Sequence, residues 1–333
     1  MYGMVKPAGA PLELDLSKVS HFIVDWDETV TSLDTMHLLG AAAYECKPDF
    51  EPKWDYFVRE FLNDYTQYSR SFQPSSSKAS SQKEDNDAEV AASAVAAAAS
   101  KEGISPELEE EIEFLLGLKP IEYESAKRVE DAKLFENIDP KFIQAQVGKV
   151  LFRDGWWDLI KKIHPAHGEE KDDTKEYPKI AIVSVNWSAD LIRRVLDHYF
   201  PGNDIAIYSN DIDWVTGDIF PADYDSINYD VHPDHVNSAT DPKISRGHVR
   251  TANDKKRIIA ALKDEAKKLG KELWYFGDSS TDTLALLEAD KGVVVGKKKT
   301  FDKLTKELKI PNLSFISDWN QIKLQSDESS SNL

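Results

Sequence analysis

Short apolar segments alternate with helical patterns along most of this chain, and the alternation restricts the folds that are open to it. The strand-like segments are 21–24, 180–183, 205–208, 273–276 and 292–295, and helical patterns occupy 189–199, 254–269 and 282–289. Near-continuous apolar runs are typical of strands covered on both faces. Strands separated by helices favour a parallel sheet with right-handed crossovers. We therefore predict an α/β fold with a Rossmann-like parallel sheet core.

The segment between the first two strands breaks the alternation and contains only helical patterns. Its Ser105-Pro106 and Asp139-Pro140 pairs are typical helix starts. An aromatic stripe predicts either a helix core or a substrate-stacking surface, and consists of Trp54, Phe57, Phe61, Tyr65 and Tyr68. We predict that residues 33–149 form a helical cap domain inserted into a discontinuous core, residues 1–32 and 150–324.

Three polar segments predict irregular structure. The Ser- and Ala-rich stretch at about 73–105 indicates a disordered insertion within the cap, although 88–100 could form a marginal helix. Residues 164–179 predict a surface loop, and residues 325–333 predict a flexible tail.

Composition excludes several classes of function. The 333 residues carry 59 acidic and 41 basic side chains, a net charge of −18, which disfavours nucleic acid and anionic membranes as partners. The single cysteine, Cys46, rules out an intramolecular disulfide and favours a cytoplasmic or nuclear protein. We see no signal peptide pattern at the start and no apolar run long enough for a membrane span.

Two aspartates follow the first strand. Asp25 and Asp27 flank Trp26, so both carboxylates can converge on one ligand as the chain leaves the sheet. Buried carboxylates need a cation, and magnesium with a phosphate would supply a reason for the pair. Thr29 follows, and the alternative reading is a solvated turn in which Thr29 or Asp27 caps a helix.

Polar groups also follow two later strands. Ser184 and the N–H groups of Val185 and Asn186 suit a phosphate oxygen, although a serine often simply ends a strand. After the strand at 273–276, Asp278 could reach the metal of Asp25, while Asp282 could hold a metal-bound water or cap a helix. Ligands of such sheets bind beyond the carboxyl ends of the strands.

Lysines stand where they oppose a helix dipole. Lys255 and Lys256 begin the pattern at 254–269, although cations are unfavourable at a helix start. One of them could neutralise a phosphate, and its distance from Ile258 and Ile259 favours Lys255. The alternative is a solvated lysine.

Taken in order, these motifs resemble those of the haloacid dehalogenase (HAD) superfamily of phosphatases. The matching residues are Asp25-Trp26-Asp27-Glu28-Thr29, Ser184, Lys255, and Gly277-Asp278 with Asp282. The helical insertion resembles the cap of the phosphoserine-phosphatase-like branch. Further stretches are similar to the phosphatase domain of plant thiamin-monophosphate phosphatases and related fungal proteins: 54–68, 152–155, 187–193 and 275–290. Glu28 departs from the family, in which many members carry glycine at that position.

The resemblance implies a Mg²⁺-dependent phosphatase acting on a small phosphorylated metabolite. Asp25 would be the nucleophile and Asp27 the acid and base. The metal would lie against the carboxylates of Asp25 and Asp278 and the carbonyl of Asp27, with Asp282 behind them. Phosphate would contact Thr29, Ser184, Val185, Asn186 and Lys255. Thiamin monophosphate is the first substrate to consider, and a sugar phosphate, a nucleotide, phosphoserine or a non-catalytic phosphate-binding scaffold are the alternatives.

Overall fold

A computed structural model describes residues 11–75, 104–164, 177–224 and 247–325. The predicted disordered insertion, the predicted loop at 164–179 and the predicted tail lie largely outside these residues and stay predictions. In the described residues, no helix is both long enough and apolar enough to cross a bilayer.

The core is a seven-stranded sheet in the order β5-β4-β3-β2-β6-β7-β8. All neighbouring pairs are parallel except β4 and β5. A separate parallel pair joins β1 to β9. The strand bounds are β1 (Leu12–Leu14), β2 (Val19–Val24), β3 (Lys179–Val183), β4 (Ala206–Ile212), β5 (Ile219–Tyr224), β6 (Glu272–Gly277), β7 (Lys291–Val295), β8 (Ser314–Ile316) and β9 (Ile322–Leu324).

Helices cover the sheet and fill the long connection from β2 to β3. Within the described residues they are α1 (Met36–Cys46), α2 (Trp54–Ser71), α3 (Pro106–Gly117), α4 (Lys119–Asp131), α5 (Pro140–Val147), α6 (Trp156–Ile163), α7 (Ala189–Tyr199), α8 (Ala252–Lys268), α9 (Thr283–Glu288) and α10 (Lys298–Asp302). The fold is therefore the predicted α/β class with a parallel sheet core. Helices α1 to α5 lie where the cap was predicted; that they act as a separate domain stays a prediction.

The central strand explains the apolar runs of the sequence. Phe22 and Val24 pack into one buried cluster, while Ile23 between them packs into another on the opposite face. Each strand residue therefore meets an apolar layer, and burial of such side chains stabilises the fold by about 1.5–3 kcal/mol each.

Both predicted helix starts are present. The Ser105 hydroxyl accepts a hydrogen bond from the N–H of Leu108 at 3.2 Å, and the Asp139 carboxylate accepts one from the N–H of Lys141 at 3.0 Å. Most residues of the aromatic stripe are only partly buried, since Phe57 alone among the five falls in the buried core. Trp54 packs against Trp187, while Tyr65 and Tyr68 pack against the Phe114 ring of α3, so the stripe is a half-buried helix face against the core clusters.

Candidate functional site

Asp25 lies immediately beyond the carboxyl end of β2. Its N–H donates to the carbonyl of Phe276 in β6 at 2.8 Å, which ties the start of the loop to the neighbouring strand. Only 4% of the residue is exposed. One carboxylate oxygen accepts a hydrogen bond from Lys255 Nζ at 2.6 Å, and the other lies 3.4 Å from the Thr29 hydroxyl. Asp25 is thus a buried carboxylate with one close cation.

Lys255, rather than Lys256, is the lysine that faces this carboxylate. Thr251 caps α8, with its hydroxyl accepting from the N–H of Asp254 at 3.2 Å while the Asp254 carboxylate accepts from the N–H of Thr251 at 2.9 Å. This capping box offsets the cost of a cation in the first helical turn. The Lys255 side chain is fully buried and bridges Asp25 and Asp282.

Asp282 is saturated with hydrogen bonds. One oxygen accepts from Lys255 at 2.7 Å and from the Tyr275 hydroxyl at 2.6 Å. The other accepts from the N–H groups of Asp278 and Ser279, each at 3.0 Å, and from the Ser279 hydroxyl. Asp282 therefore orients the loop that carries Asp278. Of the two roles that its sequence position suggested, holding a metal-bound water and capping a helix, these N–H contacts resemble the second.

Gly277 permits this arrangement. A Cβ atom there would lie 2.4 Å from Cγ of Asp282, closer than real Cβ atoms approach other heavy atoms. Any other residue would push the Asp282 carboxylate away from the N–H groups that it holds.

Asp278 projects toward Asp25. One of its oxygens accepts from the Thr29 hydroxyl at 3.1 Å. Carboxylate oxygens of Asp25, Asp278 and Asp282 lie within 4.8 Å of one another. Thr29, predicted to touch phosphate, instead lies fully buried between two of these carboxylates.

Asp27 faces a different set of partners. One oxygen accepts from the N–H and the hydroxyl of Thr35, at 2.7 and 2.6 Å, and the other accepts from the Asn186 amide at 2.8 Å. The Thr35 hydroxyl is itself approached by Trp26 Nε1 at 3.2 Å. The Asp27 side chain is therefore fixed away from Lys255, which separates its chemistry from that of Asp25.

The loop after β3 carries three predicted phosphate contacts, and two of them, Ser184 and the N–H of Val185, remain candidates in the structure. Ser184 is fully buried at the end of the strand, and its oxygen accepts from the N–H of Asn186 at 3.1 Å. Among the described residues, no hydrogen bond engages the N–H of Val185. Asn186 has both its N–H and its side-chain amide engaged within the protein, so it serves Asp27 rather than a ligand.

Two basic residues of the site were missed in the sequence. Lys297 Nζ lies 2.7 Å from an oxygen of Asp278 and 2.7 Å from an oxygen of Glu28. Arg153 donates to the main-chain oxygens of Thr29, at 3.3 Å, and of Glu28. Lys297 follows the end of β7, so its place at the carboxyl edge of the sheet was the available signal. Arg153 lies in the stretch 152–155 noted for its resemblance, but nothing in that stretch assigned it to the site.

Burial raises the pKa values of Asp25, Asp27 and Asp278. It raises the pKa of Asp27 to about 6, helped by the charge of Asp34 and opposed by the hydrogen bonds from Thr35 and Asn186. Burial and the charge of Asp282 raise the pKa of Asp278 to about 6, against the effect of Lys297. Burial and Asp282 likewise raise the pKa of Asp25, although Lys255 opposes them. The site therefore carries an excess of costly negative charge.

The donor set fits a small divalent cation. Asp278 Oδ2 is buried without a well-aligned hydrogen bond, and the Lys297 ammonium 2.7 Å away pairs with it in place of a metal. Asp25 and Asp278 supply hard carboxylate oxygens, the type that Mg²⁺ prefers. Asp282 cannot contribute without losing its hydrogen bonds, so it would lie behind the ligands.

A separate cavity of about 610 Å³ opens near the start of α8. It is lined mostly by residues of α4, among them Tyr123 and Glu130, together with Asp218 and Arg250. Its lining contains none of Asp25, Asp27 and Asp278, so it is distinct from the carboxylate cluster.

Comparison with known proteins finds distant relatives. No family model matches the chain. Cold tolerance protein 1 of Saccharomyces cerevisiae is 23% identical over 276 residues, which are 80% of this chain and 74% of the yeast protein. A CTO1 family protein of Schizosaccharomyces pombe is 23% identical over 197 residues, 59% of this chain and 57% of that protein.

Similar solved structures include phosphoserine phosphatases. A substrate-bound complex covers 90% of this chain and 94% of its own, with 14% identity and a TM-score of 0.45. A phospho-aspartyl intermediate analogue has the same coverage, with 12% identity and a TM-score of 0.43. A probable phosphoserine phosphatase from Vibrio cholerae covers 91% of this chain and 62% of its own, with 13% identity and a TM-score of 0.43. Identities and TM-scores this low do not carry an argument about function, so the functional argument depends on the side chains of the site.

Proposed function

We propose that this chain is a HAD-type, Mg²⁺-dependent phosphatase that hydrolyses a small phosphorylated metabolite through an aspartyl-phosphate on Asp25. The observation that supports it best is the convergence of Asp25, Lys255 and Asp278 from three separate segments on one buried point. Buried charge of this kind is costly, and pKa values shifted by burial and a specific partner mark functional sites.

The first step is attack on phosphorus by the Asp25 carboxylate. Lys255 orients that carboxylate and offers its ammonium to phosphate oxygens, where negative charge lies in the transition state. Ser184 and the N–H of Val185 are the additional donors available at the next strand end. Forming a covalent phosphoryl-enzyme replaces one difficult step by two easier ones.

Asp27 supplies and later removes a proton. With its pKa raised to about 6 by burial, a neutral carboxyl is accessible near neutral pH. It would protonate the leaving oxygen, and its carboxylate would then accept a proton from the water that attacks the intermediate. Thr35 and Asn186 hold it in place for both transfers.

Asp25, Asp278 and the carbonyl of Asp27 would hold the metal. When bound, Mg²⁺ would neutralise charge on the phosphoryl oxygens. The remaining chemistry is assigned to the side chains described above.

Thiamin monophosphate is the first substrate to test, on the basis of the sequence stretches noted above. A sugar phosphate, a nucleotide and phosphoserine are the alternatives within the same chemistry. We expect residues of the helical insertion to recognise the leaving group.

A panel of phosphorylated metabolites, assayed for phosphate release with and without Mg²⁺, tests this proposal. We expect at least one metabolite to be hydrolysed only when Mg²⁺ is present, and p-nitrophenyl phosphate to be hydrolysed slowly. Absence of Mg²⁺-dependent release from the whole panel, with phosphate still bound, would favour a non-catalytic phosphate-binding protein.

A further inference from the structure

Lys297 is a partly exposed lysine whose ammonium lies between two carboxylates of the candidate site. It follows Gly296, whose φ of +72° turns the chain at the end of β7. The ammonium lies between the carboxylates of Asp278 and Glu28, at 2.7 Å from each. Its side chain is 37% exposed, so it can move without disturbing the core.

The oxygen that Lys297 approaches is the one that the proposed metal site needs. Asp278 Oδ1 is engaged by Thr29, whereas Oδ2 is buried without a well-aligned hydrogen bond. A divalent cation and an ammonium that share this oxygen would repel each other strongly in a partly buried site. One must give way to the other.

Glu28 is a partner that the ammonium can keep when it leaves Asp278. Its φ of 58° is the left-handed conformation, unfavourable for a residue other than glycine. Its backbone is nevertheless held there, because the N–H donates to the Thr31 hydroxyl at 3.0 Å and the carbonyl accepts from Arg153. The glutamate side chain therefore extends to Lys297, which glycine could not do.

We propose that Lys297 is an internal cation that competes with the divalent metal for Asp278, and that Glu28 receives it when the metal binds. This inference rests on the proposed metal-dependent site. The Glu28–Lys297 pair would then set the affinity of the site for the metal. Glu28 is the residue at which this chain departs from the HAD pattern.

The test is the affinity for Mg²⁺, measured by isothermal titration calorimetry without substrate. Lys297→Met should tighten binding by about fivefold, because the competing charge is lost, while Glu28→Gln should weaken it by about as much. Lys298→Met is the matched control, since Lys298 pairs with Asp302 and lies outside the carboxylate cluster; its affinity should equal that of the wild type.

The double variant shows whether Glu28 acts through Lys297 or whether the two charges affect the metal independently. With Lys297 replaced by methionine, Glu28→Gln should weaken the affinity less than it does in the wild type, since no lysine remains to be held. Additive effects of the two substitutions would contradict the exchange. Unchanged or weakened binding in Lys297→Met, with Lys297→Gln agreeing and both variants unfolding like the wild type, would overturn the proposal.

Failure of this proposal can be distinguished from failure of the proposed phosphatase function. The opposed shifts in Mg²⁺ affinity can occur in a protein that hydrolyses nothing, in which case only the proposed function fails. A catalytically active wild type with no shift in Lys297→Met would remove only the role of Lys297. A wild type with no Mg²⁺ binding at millimolar concentration would overturn both.

Discussion

Asp25 and Asp27 are two residues apart and yet have different surroundings. Asp25 pairs with Lys255, whereas Asp27 accepts only neutral donors from Thr35 and Asn186. Lys255 favours the ionised form that the proposed nucleophile needs, against burial and Asp282, which raise the pKa of Asp25. Asp27, the proposed acid, has neutral hydrogen-bond donors instead, and burial raises its pKa to about 6. The proposed separation of roles rests on these partners rather than on the spacing.

The raised pKa of Asp27 gives a pH prediction. The neutral acid dominates below about pH 6 and is lost above it, so kcat/KM for a substrate with a poor leaving group should fall as pH rises through about 6. Asp27→Asn should remove this pH dependence and slow poor leaving groups more than p-nitrophenyl phosphate. Asp34→Asn, which removes a neighbouring negative charge, should shift the fall to lower pH. Equal losses for good and poor leaving groups in Asp27→Asn would contradict the acid role.

Gly277 gives a prediction about packing. Gly277→Ala should displace Asp282, lower the free energy of unfolding by about 1–3 kcal/mol and reduce kcat, because Asp278 depends on that hydrogen-bond set. Gly148→Ala is the control, since a Cβ atom there meets nothing within 4 Å. Denaturant unfolding and steady-state kinetics on both variants check it, and a fully active Gly277→Ala would count against the role of Asp282.

At this scale the sequence located the charged groups that follow strands. Asp25 and Asp278 were predictable because the carboxyl ends of parallel strands meet at one edge, and Lys255 because a cation at a helix start opposes the helix dipole. Arg153 was not, because it reaches the site from a loop whose partner is the backbone of Thr29. The N–H of Asn186 was assigned to a phosphate because a sequence does not show that it donates to the Ser184 hydroxyl, or that the side-chain amide donates to Asp27.

Helix α8 links fold and site at the next scale. Its capping box fixes the first turn, and Lys255 lies in that turn. A loose helix start would therefore move the only fully buried lysine among the described residues.

Removal of the cap tests this link. Thr251→Ala should lower the free energy of unfolding by about 1 kcal/mol and also reduce kcat several-fold. Ser105→Ala removes the cap of α3 at similar cost in stability, but should leave kcat unchanged. Equal kinetics for the two variants, measured alongside thermal unfolding, would show that the cap acts on stability alone.

Elements with a continuous apolar pattern were predicted well, and others were not. Helix α7 has the predicted bounds, 189–199. Strand β4 continues past its apolar run through Asn210, which is buried because its side chain bonds to both backbone groups of Val249. Strands β1, β8 and β9, of three residues each, are too short for a periodic signal, and β5 is an edge strand containing Pro221.

The protein has a large negative net charge and also buries several carboxyl groups at its centre. The net charge of −18 and the raised pKa values of buried carboxyls both oppose the folded state near neutral pH. A bound divalent cation would relieve part of this cost, so folding and metal binding should be coupled.

Thermal unfolding measures that coupling. Mg²⁺ at about 100 times its Kd should stabilise the wild type by about 2.7 kcal/mol, which is a rise in Tm of several degrees. Asp278→Asn should lose this rise while folding normally, because it removes a ligand and a buried charge together. A rise of the same size in the variant would place the metal elsewhere.

The most direct test of the central claim is the identity of the phosphorylated residue. The wild type and Asp25→Asn are mixed with a hydrolysed substrate and Mg²⁺, quenched in acid within one turnover, and mapped by peptide mass spectrometry. We predict one phosphoryl group on Asp25 of the wild type, and neither phosphorylation nor measurable turnover in the folded variant. Phosphorylation at another residue, or substantial turnover by Asp25→Asn, would contradict the account.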